Sequence, residues 1–362
     1  MAENLLITGG AGFIGSHLAR AVLHEKDFRE YGVSILDDLS GGFRENLPAD
    51  PRLEFIEGSV ADPELVQNLF RTKRFKFVYH LAAYAAEGLS HFIRCFNYTT
   101  NLIGSMNLIN ASVNHGIECF VFTSSIAVYG ECQVPMREDM VPQPEDPYGI
   151  AKYAVEMDLK AAHAMFGLNY VIFRPHNVYG EFQNIGDRYR NVVGIFMNQI
   201  LRNEPMTVFG DGNQERAFTY VGDIAPILAR SPMEKKTHCR VFNIGADIPY
   251  SVNTLAEKVA EAMGVRPVIR YLPPRQEVKV AYSDHRACRE VFGQERRTPL
   301  QDGLKRMAFW VKQVGSRASK EFENIEVQRG MPPSWLKGGE GMNRNQSPRQ
   351  DDRAAQKILS GF

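Results

Sequence analysis

The sequence predicts an α/β protein in which a doubly wound parallel sheet is followed by a smaller mixed α/β lobe. Three observations predict it. Short β-branched runs alternate with amphipathic stretches through the first half of the chain. A glycine turn, "TGGAGFIGSH", joins the first run to the first helical stretch. After Arg174 the regular alternation gives way to shorter, mixed pieces. Strands and helices alternating at this spacing imply parallel pairing with helices on both faces.

Taken in order, "LLIT" (5–8), "VSIL" (33–36), "LEFIEG" (53–58), "KFVYHLA" (76–82), "CFVFTS" (119–124) and "NYVIFR" (169–174) read as buried strands. Helical stretches lie between them near 13–25, 63–72, 98–115 and 148–166. Beyond Arg174, "MTVFG", "AFTYV", "RVFNIG" and "PVIRYL" read as strand pieces of the smaller lobe, with helices near 188–202, 222–230, 252–263 and 300–314. The expected division is 1–175 for the sheet domain and 176–336 for the lobe, with some chain exchange between the two. Residues 337–362, rich in Gly, Asn, Gln and charge, read as a disordered tail.

Composition narrows the function. Forty-four per cent of the 362 residues are hydrophobic, enough for a core. Lys plus Arg and Asp plus Glu both number 42, so no nucleic-acid or membrane partner is expected. No apolar run reaches the ~18 residues of a membrane span. "MAENLLIT" enters a strand without a basic segment, so no signal peptide is expected. Cys95, Cys119, Cys132, Cys239 and Cys288 form no CxxC pair, which points away from a metal site and toward a reducing cytoplasmic setting.

In the glycine turn, Gly9, Gly12 and Gly15 stand between a strand and a helix. Glycines there permit the turn, let backbone N–H groups approach a pyrophosphate, and allow close helix packing. The helix N-terminus then faces the phosphates. The pair Asp37 and Asp38 ends the next strand, and Asp37 lies 22 residues after Gly15, where a carboxylate meets an adenosine ribose. That acid would repel a 2′-phosphate, and no Arg or Lys immediately follows it, so NAD is favoured over NADP. The competing reading is an unliganded glycine turn with both aspartates capping.

The second constellation is "TSSIAVYG" (123–130) followed by "PYGIAK" (147–152). Tyr148 and Lys152 are four apart on a helical pattern, so they share a face. A phenol of ordinary pKa ~10 is a poor base at neutral pH. An ammonium beside it, with a positive nicotinamide ring, favours the phenolate. That phenolate can take the proton of a sugar hydroxyl. A hydroxyl at the carboxyl end of a strand lies where ligands bind in such sheets. Alone, the Tyr–Lys spacing is common among ordinary helix residues.

Together, "TGGAGFIGSH", "YHLAA", "NLIGSMNLI", "TSSIAVYG", "PYGIAK", "FRPHNVYG" and "RAFTYVGD" resemble the extended short-chain dehydrogenase/reductase superfamily, most of all its nucleotide-sugar epimerase/dehydratase branch. The resemblance runs from Leu5 to about Trp310. It implies a Rossmann-type domain holding NAD, a lobe holding a nucleoside diphosphate sugar, and a homodimer through helices near 98–115 and 148–166. It makes Ser125 the catalytic hydroxyl, Tyr148 the base and Lys152 its activator. It places Gly9, Gly12, Phe13, Ile14, Gly15, Asp37, Asp38, Ser59, Val60, Leu81, Ala82, Ala83, Asn101, Ser124, Tyr148, Lys152 and His176 around NAD. Ser59 stands where the family usually has an Asp reading the adenine, and His176 where it more often has Phe. The sugar nucleotide is assigned Tyr84, Ser125, Asn177, Asn191, Val192, Thr207, Phe209, Arg216, Arg275 and Glu277. Arg216 is the diphosphate clamp in this reading, and Asp223 a helix cap.

The residues after the hydroxyl separate the reactions. Dehydratases of the family carry an Asp-Glu pair there, and this chain has Ile126 and Ala127. The expected reaction is therefore C4 epimerisation of a UDP-hexose or derivative through a 4-keto sugar. Two alternatives stand beside it. A dehydratase or 3,5-type epimerase would use an acid from another loop, such as Glu87, although the favoured reading of that residue is a solvated helix start. A non-catalytic NAD-binding regulator would not need the intact Ser125–Tyr148–Lys152 set.

Overall fold

A computed structural model of the chain describes residues 3–275, 278–293, 297–318 and 322–335. Glu277 and the tail from 337 lie outside these residues. The chain divides into two compact units, the first running to Glu326. In the second, the described residues include the short helical turn Pro333–Trp335.

The first unit is built on a seven-stranded sheet. Six strands come in sequence: β1 (Asn4–Thr8), β2 (Gly32–Asp37), β3 (Leu53–Glu57), β4 (Phe75–His80), β5 (Cys119–Thr123) and β6 (Tyr170–Pro175). Their spatial order is β3-β2-β1-β4-β5-β6, and the strand Arg240–Ile244 pairs with β6 at the edge. Every pairing is parallel, with Leu5 opposite both Val33 and Phe77. The order reverses between β1 and β4, which opens a crevice at the carboxyl ends of those strands.

The inner strands are mostly apolar because both faces are covered. Leu5, Ile7, Phe77, Tyr79, Val121 and Phe173 enter one core layer, with Leu18 and Val22 of helix Phe13–His24 and Leu228 of helix Val221–Arg230. The alternate residues Leu6, Val78, Phe120, Phe122 and Ile172 enter the other, with Val66, Leu108 and Leu159 from helices Pro63–Thr72, Gly104–His115 and Pro147–Phe166.

Two features differ from the sequence reading. The strand Arg240–Ile244 was expected in the small lobe, yet it covers the β6 edge, where Phe242 and Ile244 are buried. An unpaired inner edge would leave a row of backbone groups without partners. Asp223 does not cap its own helix but accepts from Thr298 N and Oγ1 at 2.8 and 2.7 Å, tying down a segment far along the chain. The remaining strands form small sheets: Met206–Phe209 with Ile269–Leu272, Val178–Tyr179 with Thr219–Tyr220, and Glu215–Ala217 between Pro249–Ser251 and Val280–Ala281.

Candidate active site

A cavity of about 590 Å³ runs from the glycine turn, past the carboxyl ends of β4 and β5, to the small sheets. At its first end, Gly9 has φ +69°, and a Cβ there would lie 2.6 Å from Ala82 N. A Cβ on Gly15 would lie 2.1 Å from Gly9 O, so helix Phe13–His24 meets the turn backbone to backbone. Gly12 is the N-cap residue of that helix, and Phe13, Ile14 and Gly15 supply its first N–H groups. All four line the cavity, as do Asp37, Asp38, Val60, Leu81, Ala82 and Ala83. Asp37 accepts from Ala11 N at 3.0 Å and Leu39 N at 2.8 Å. Burial pushes its carboxyl up, against the pull of those two bonds. A carboxylate has about four acceptor sites, so capacity remains for a ribose. Asp38 is exposed and accepts from Ser40 N.

Two residues expected at the cofactor do other work. Ser59 does not line the cavity, and its Oγ accepts from Ala61 N at 3.2 Å, a local turn bond. Asn101 is buried in a wide helical turn, Thr99–Ile103. Its amide accepts from Tyr84 N at 2.8 Å and donates to Tyr84 O at 3.1 Å, so it holds the cavity wall from behind.

The middle of the cavity carries the reacting set. Asp146 caps helix Pro147–Phe166, accepting from Gly149 N at 3.0 Å, with Pro147 at the first helical position. A Cβ on Gly149 would lie 2.6 Å from Ala127 O, so the helix start presses directly on the turn Ile126–Tyr129. That close approach sets Tyr148 in hydrogen-bonding reach of Ser125, whose Oγ also accepts from Ala127 N at 3.1 Å. Lys152, one turn on, donates from Nζ to Thr123 O at 2.9 Å and lies 5.8 Å from the Tyr148 ring centre. Burial pushes the Tyr148 phenol above its ordinary range, reinforced by Asp146 and Glu87 and opposed by the Ser125 hydrogen bond and Arg190. Burial pushes Lys152 down to about 7, with Glu156 holding it up. Burial thus favours the neutral phenol, in keeping with the expectation that the nicotinamide's charge is needed beside that of the lysine. Added positive charge is needed to reach the phenolate.

Ser124 lines the cavity, but its hydroxyl donates to Glu156 Oε1 at 2.6 Å. Glu156 is paired with Arg174 at 2.5 and 2.9 Å, and Arg174 donates to Tyr129 Oη at 2.7 Å. Ser124 thus ties strand to helix instead of presenting its proton to a cofactor. Thr123 Oγ1 is buried in the cavity wall and has no hydrogen-bond partner among the described residues. Glu87 is exposed at the start of the short helix Glu87–Ser90 and lines the cavity.

At the far end stand Asn177, Asn191, Val192, Thr207, Phe209, Arg216 and Arg275. Asn191 precedes helix Val192–Leu201 with φ +62°. Gln199 holds Thr207 by its N–H and hydroxyl at 3.0 and 2.9 Å. The Arg275 guanidinium lies 4.8 Å over the Phe209 ring. Arg216 donates to Val278 O and Lys279 O. His176 also lines the cavity, but its nitrogens are spent on Ala217 O and His285, so it offers only ring carbon to a cofactor.

Sequence reasoning missed several lining residues, among them Gly42, Thr100, Tyr189 and Arg190. A Cβ on Gly42 would lie 2.6 Å from the Ala11 carbonyl, so this glycine is needed to close the turn. Arg190 stacks 4.6 Å over Tyr84 and pairs with Asp187 at 2.6 Å. The charged run "DRYRN" was the available signal.

With this geometry in hand, comparison with known proteins is informative. The model of the NAD dependent epimerase/dehydratase family matches residues 5–245. The chain belongs to that family. It is 34% identical over 311 residues to a putative UDP-glucose 4-epimerase of Methanocaldococcus jannaschii, covering 85% of this chain and 98% of that one. It is similar to the crystal structure of UDP-glucose 4-epimerase from Thermotoga maritima with UDP-glucose, at 36% identity and a TM-score of 0.80, covering 86% of this chain and 99% of that one. The UDP-glucuronic acid 4-epimerase of Bacillus cereus, solved with UDP-glucuronic acid and NAD, aligns at 28% identity and a TM-score of 0.78, covering 86% and 99%. The cofactor of this epimerase/dehydratase family member is NAD. The residues present fit it: a glycine cradle, helix N–H groups and an acid line one end of the cavity, and an orphaned buried hydroxyl, Thr123 Oγ1, sits near its middle. No helix among the described residues is long and apolar enough to cross a membrane.

Proposed function

We propose that the protein is an NAD-dependent nucleotide-sugar 4-epimerase acting on a UDP-hexose or a close derivative. The observation that carries the reading is Ser125, Tyr148 and Lys152 gathered in one cavity, next to the acid-free turn of Ile126 and Ala127. Gly12, Phe13, Ile14 and Gly15 would hold the NAD pyrophosphate, Asp37 a ribose, and Lys152 the nicotinamide end. Bound NAD supplies reversible two-electron oxidation of the sugar carbon. Tyr148 Oη takes the proton of the sugar 4-hydroxyl and returns it, and Ser125 Oγ orients that oxygen. Positive charge brought into the cavity works against the burial that keeps Tyr148 protonated. Ser125 Oγ, fixed by Ala127 N, sits at one place while the keto sugar turns its other face. Elimination of water would need a further acid and base, and the turn beside Ser125 offers neither.

Asn177, Asn191, Arg216 and Arg275 surround the cavity end where a diphosphate and base would lie, a role in keeping with the UDP-sugars named for the relatives. A homodimer fits the exposed apolar residues Ile103, Ile150 and Met157 on the helices 94–115 and 147–166. Five free thiols suit a cytoplasmic setting. The test is incubation with UDP-glucose, UDP-galactose, UDP-glucuronate, the UDP-N-acetylhexosamines and dTDP-glucose, followed by NMR. A new 4-epimer without net NADH supports the reading. A 4-keto-6-deoxy product would overturn it and turn attention to Glu87.

A further inference from the structure

His176 and His285 are both buried, their ring centroids 5.2 Å apart and their planes inclined by 27°. Three hydrogen bonds run in line through them. His176 Nδ1 lies 3.0 Å from Ala217 O, His176 Nε2 lies 3.0 Å from His285 Nε2, and His285 Nδ1 lies 2.6 Å from Asp247 Oδ1. A backbone carbonyl closes one end and a carboxylate the other, and both only accept. Three bonds therefore require three N–H groups, whereas two neutral imidazoles carry two. With all three contacts made as hydrogen bonds, one ring is an imidazolium. Ser283 Oγ, 3.0 Å from His285 Nε2, does not change the count, because its proton cannot serve the contact between the rings. Asp247 cannot hold the extra proton instead, since Arg289 at 3.3 Å and Arg297 both pair with it as an anion.

The surroundings divide. Burial pushes His176 to about 3, with His285 adding to it and Ala217 O opposing. Burial likewise pushes His285 to about 4, aided by Arg289 and opposed by Glu138 and Asp284. Against this stands the short charge-assisted bond to Asp247, of the kind that is about twice as strong as a neutral one.

We propose that His285, carried as an imidazolium by Asp247, is the positioning residue that locks His176 and, through it, the Asn177 corner of the nucleotide-sugar cavity. The proposal rests on the epimerase reading for its substrate. Asn177 has φ +39°, a left-handed conformation that strains a side-chain-bearing residue. Its Nδ2 donates to the same Ala217 O that His176 holds. A Cβ on Gly245 would lie 2.5 Å from His176 Nε2, so that position must be glycine for the ring pair to meet. One proton thus ties the end of β6, Ala217, the loop at Gly245–Asp247 and the segment at Ser283–Arg289 behind one cavity wall. The lock is complete below the pKa of the pair and is lost as pH rises through it.

The decisive measurement is NMR of the full chain labelled with ¹⁵N-histidine. At pH 7 one ring is expected with both nitrogens protonated, and the signal should vanish in His285→Phe. Two neutral rings at pH 7 would overturn the proposal. Asp247→Asn offers an amide donor to His285 Nδ1, so both rings can be neutral with all three bonds kept. It should remove the imidazolium signal and flatten the pH dependence of UDP-glucose KM. His285→Phe should raise that KM by up to about 10- to 100-fold, the worth of a hydrogen bond to a charged group, with kcat changed less than KM. An unchanged KM in His285→Phe would also overturn the positioning role. Should UDP-glucose not turn over, its Kd by calorimetry replaces KM, and the NMR result stands whatever the activity.

Discussion

The two ends of the cavity are held by different kinds of structure. The reacting end rests on a strand terminus and the first turns of a 20-residue helix, where Asp146, Tyr148 and Lys152 are all buried. Its residues lie close in sequence, and cap, proline and glycine fix the helix start. The nucleotide end rests on strands of two to four residues contributed by separate segments. There Arg275 is exposed, and the donors of Arg216 reach backbone carbonyls of a neighbouring segment. Chemistry sits on the rigid scaffold, and recognition on pieces brought together by long-range pairing. The first should respond to mutation in rate, and the second in affinity.

The sharpest way to break this contrast is Tyr148→Phe. It should lower kcat by about 10²- to 10⁴-fold, the usual weight of a positioned acid–base group, with the thermal midpoint little changed. Full activity would remove the base assigned here. Next is Glu156→Gln, which leaves Arg174 charged and buried without its partner. It should cost about 3–5 kcal/mol in denaturant unfolding. A cost near zero would mean that the scaffold under Ser124 and Lys152 is not rigid. Arg216→Ala should raise KM for the nucleotide sugar about 10- to 100-fold, the worth of a hydrogen bond to a charged group, and leave kcat nearly unchanged. A fall in kcat with constant KM would erase the distinction between the ends.

The last expected effect turns on pH and concerns Lys152, whose pKa burial pushes down to about 7, below that of a free lysine. Between about 7 and about 10.4 the unfolded chain binds more protons, so folding gains stability as pH rises through that window. Below about 7 the buried charge carries its full penalty. Lys152→Met should be inactive, and at pH 6 more stable than the parent by up to about 4–5 kcal/mol, the free energy equivalent to lowering the pKa from about 10.4 to about 7, a difference that fades toward pH 10. A destabilised variant at pH 6 would show that the bond to Thr123 O outweighs desolvation.

Much of the reacting end was legible because its signals are local. Strand, glycine turn and helix follow one another within "LLITGGAGFIGSHLAR", and "PYGIAK" carries proline, base and lysine on one helix start. The side-chain partners that the sequence did not reveal share a cause. Ser124, Asn101, Ser59 and His176 were assigned by position, but a hydroxyl, amide or imidazole goes to whichever partner is nearest in space. For Ser124 that partner is Glu156, 32 residues on, and for His176 it is His285, 109 residues on. The strand Arg240–Ile244 shows the same limit, since its pattern says buried strand but not which sheet it joins.

By itself the sequence determined the parallel sheet and the glycine cradle, because hydrophobic periodicity, turn chemistry and helix capping act over a few neighbouring residues, while the Ser125–Tyr148–Lys152 set came with the resemblance that its motifs carry. Only the tertiary structure decided which donors are already spent, where the sheet ends, and that two distant histidines meet ring to ring. Those are properties of groups that meet across the fold, where burial and the count of available acceptors set protonation and pairing together.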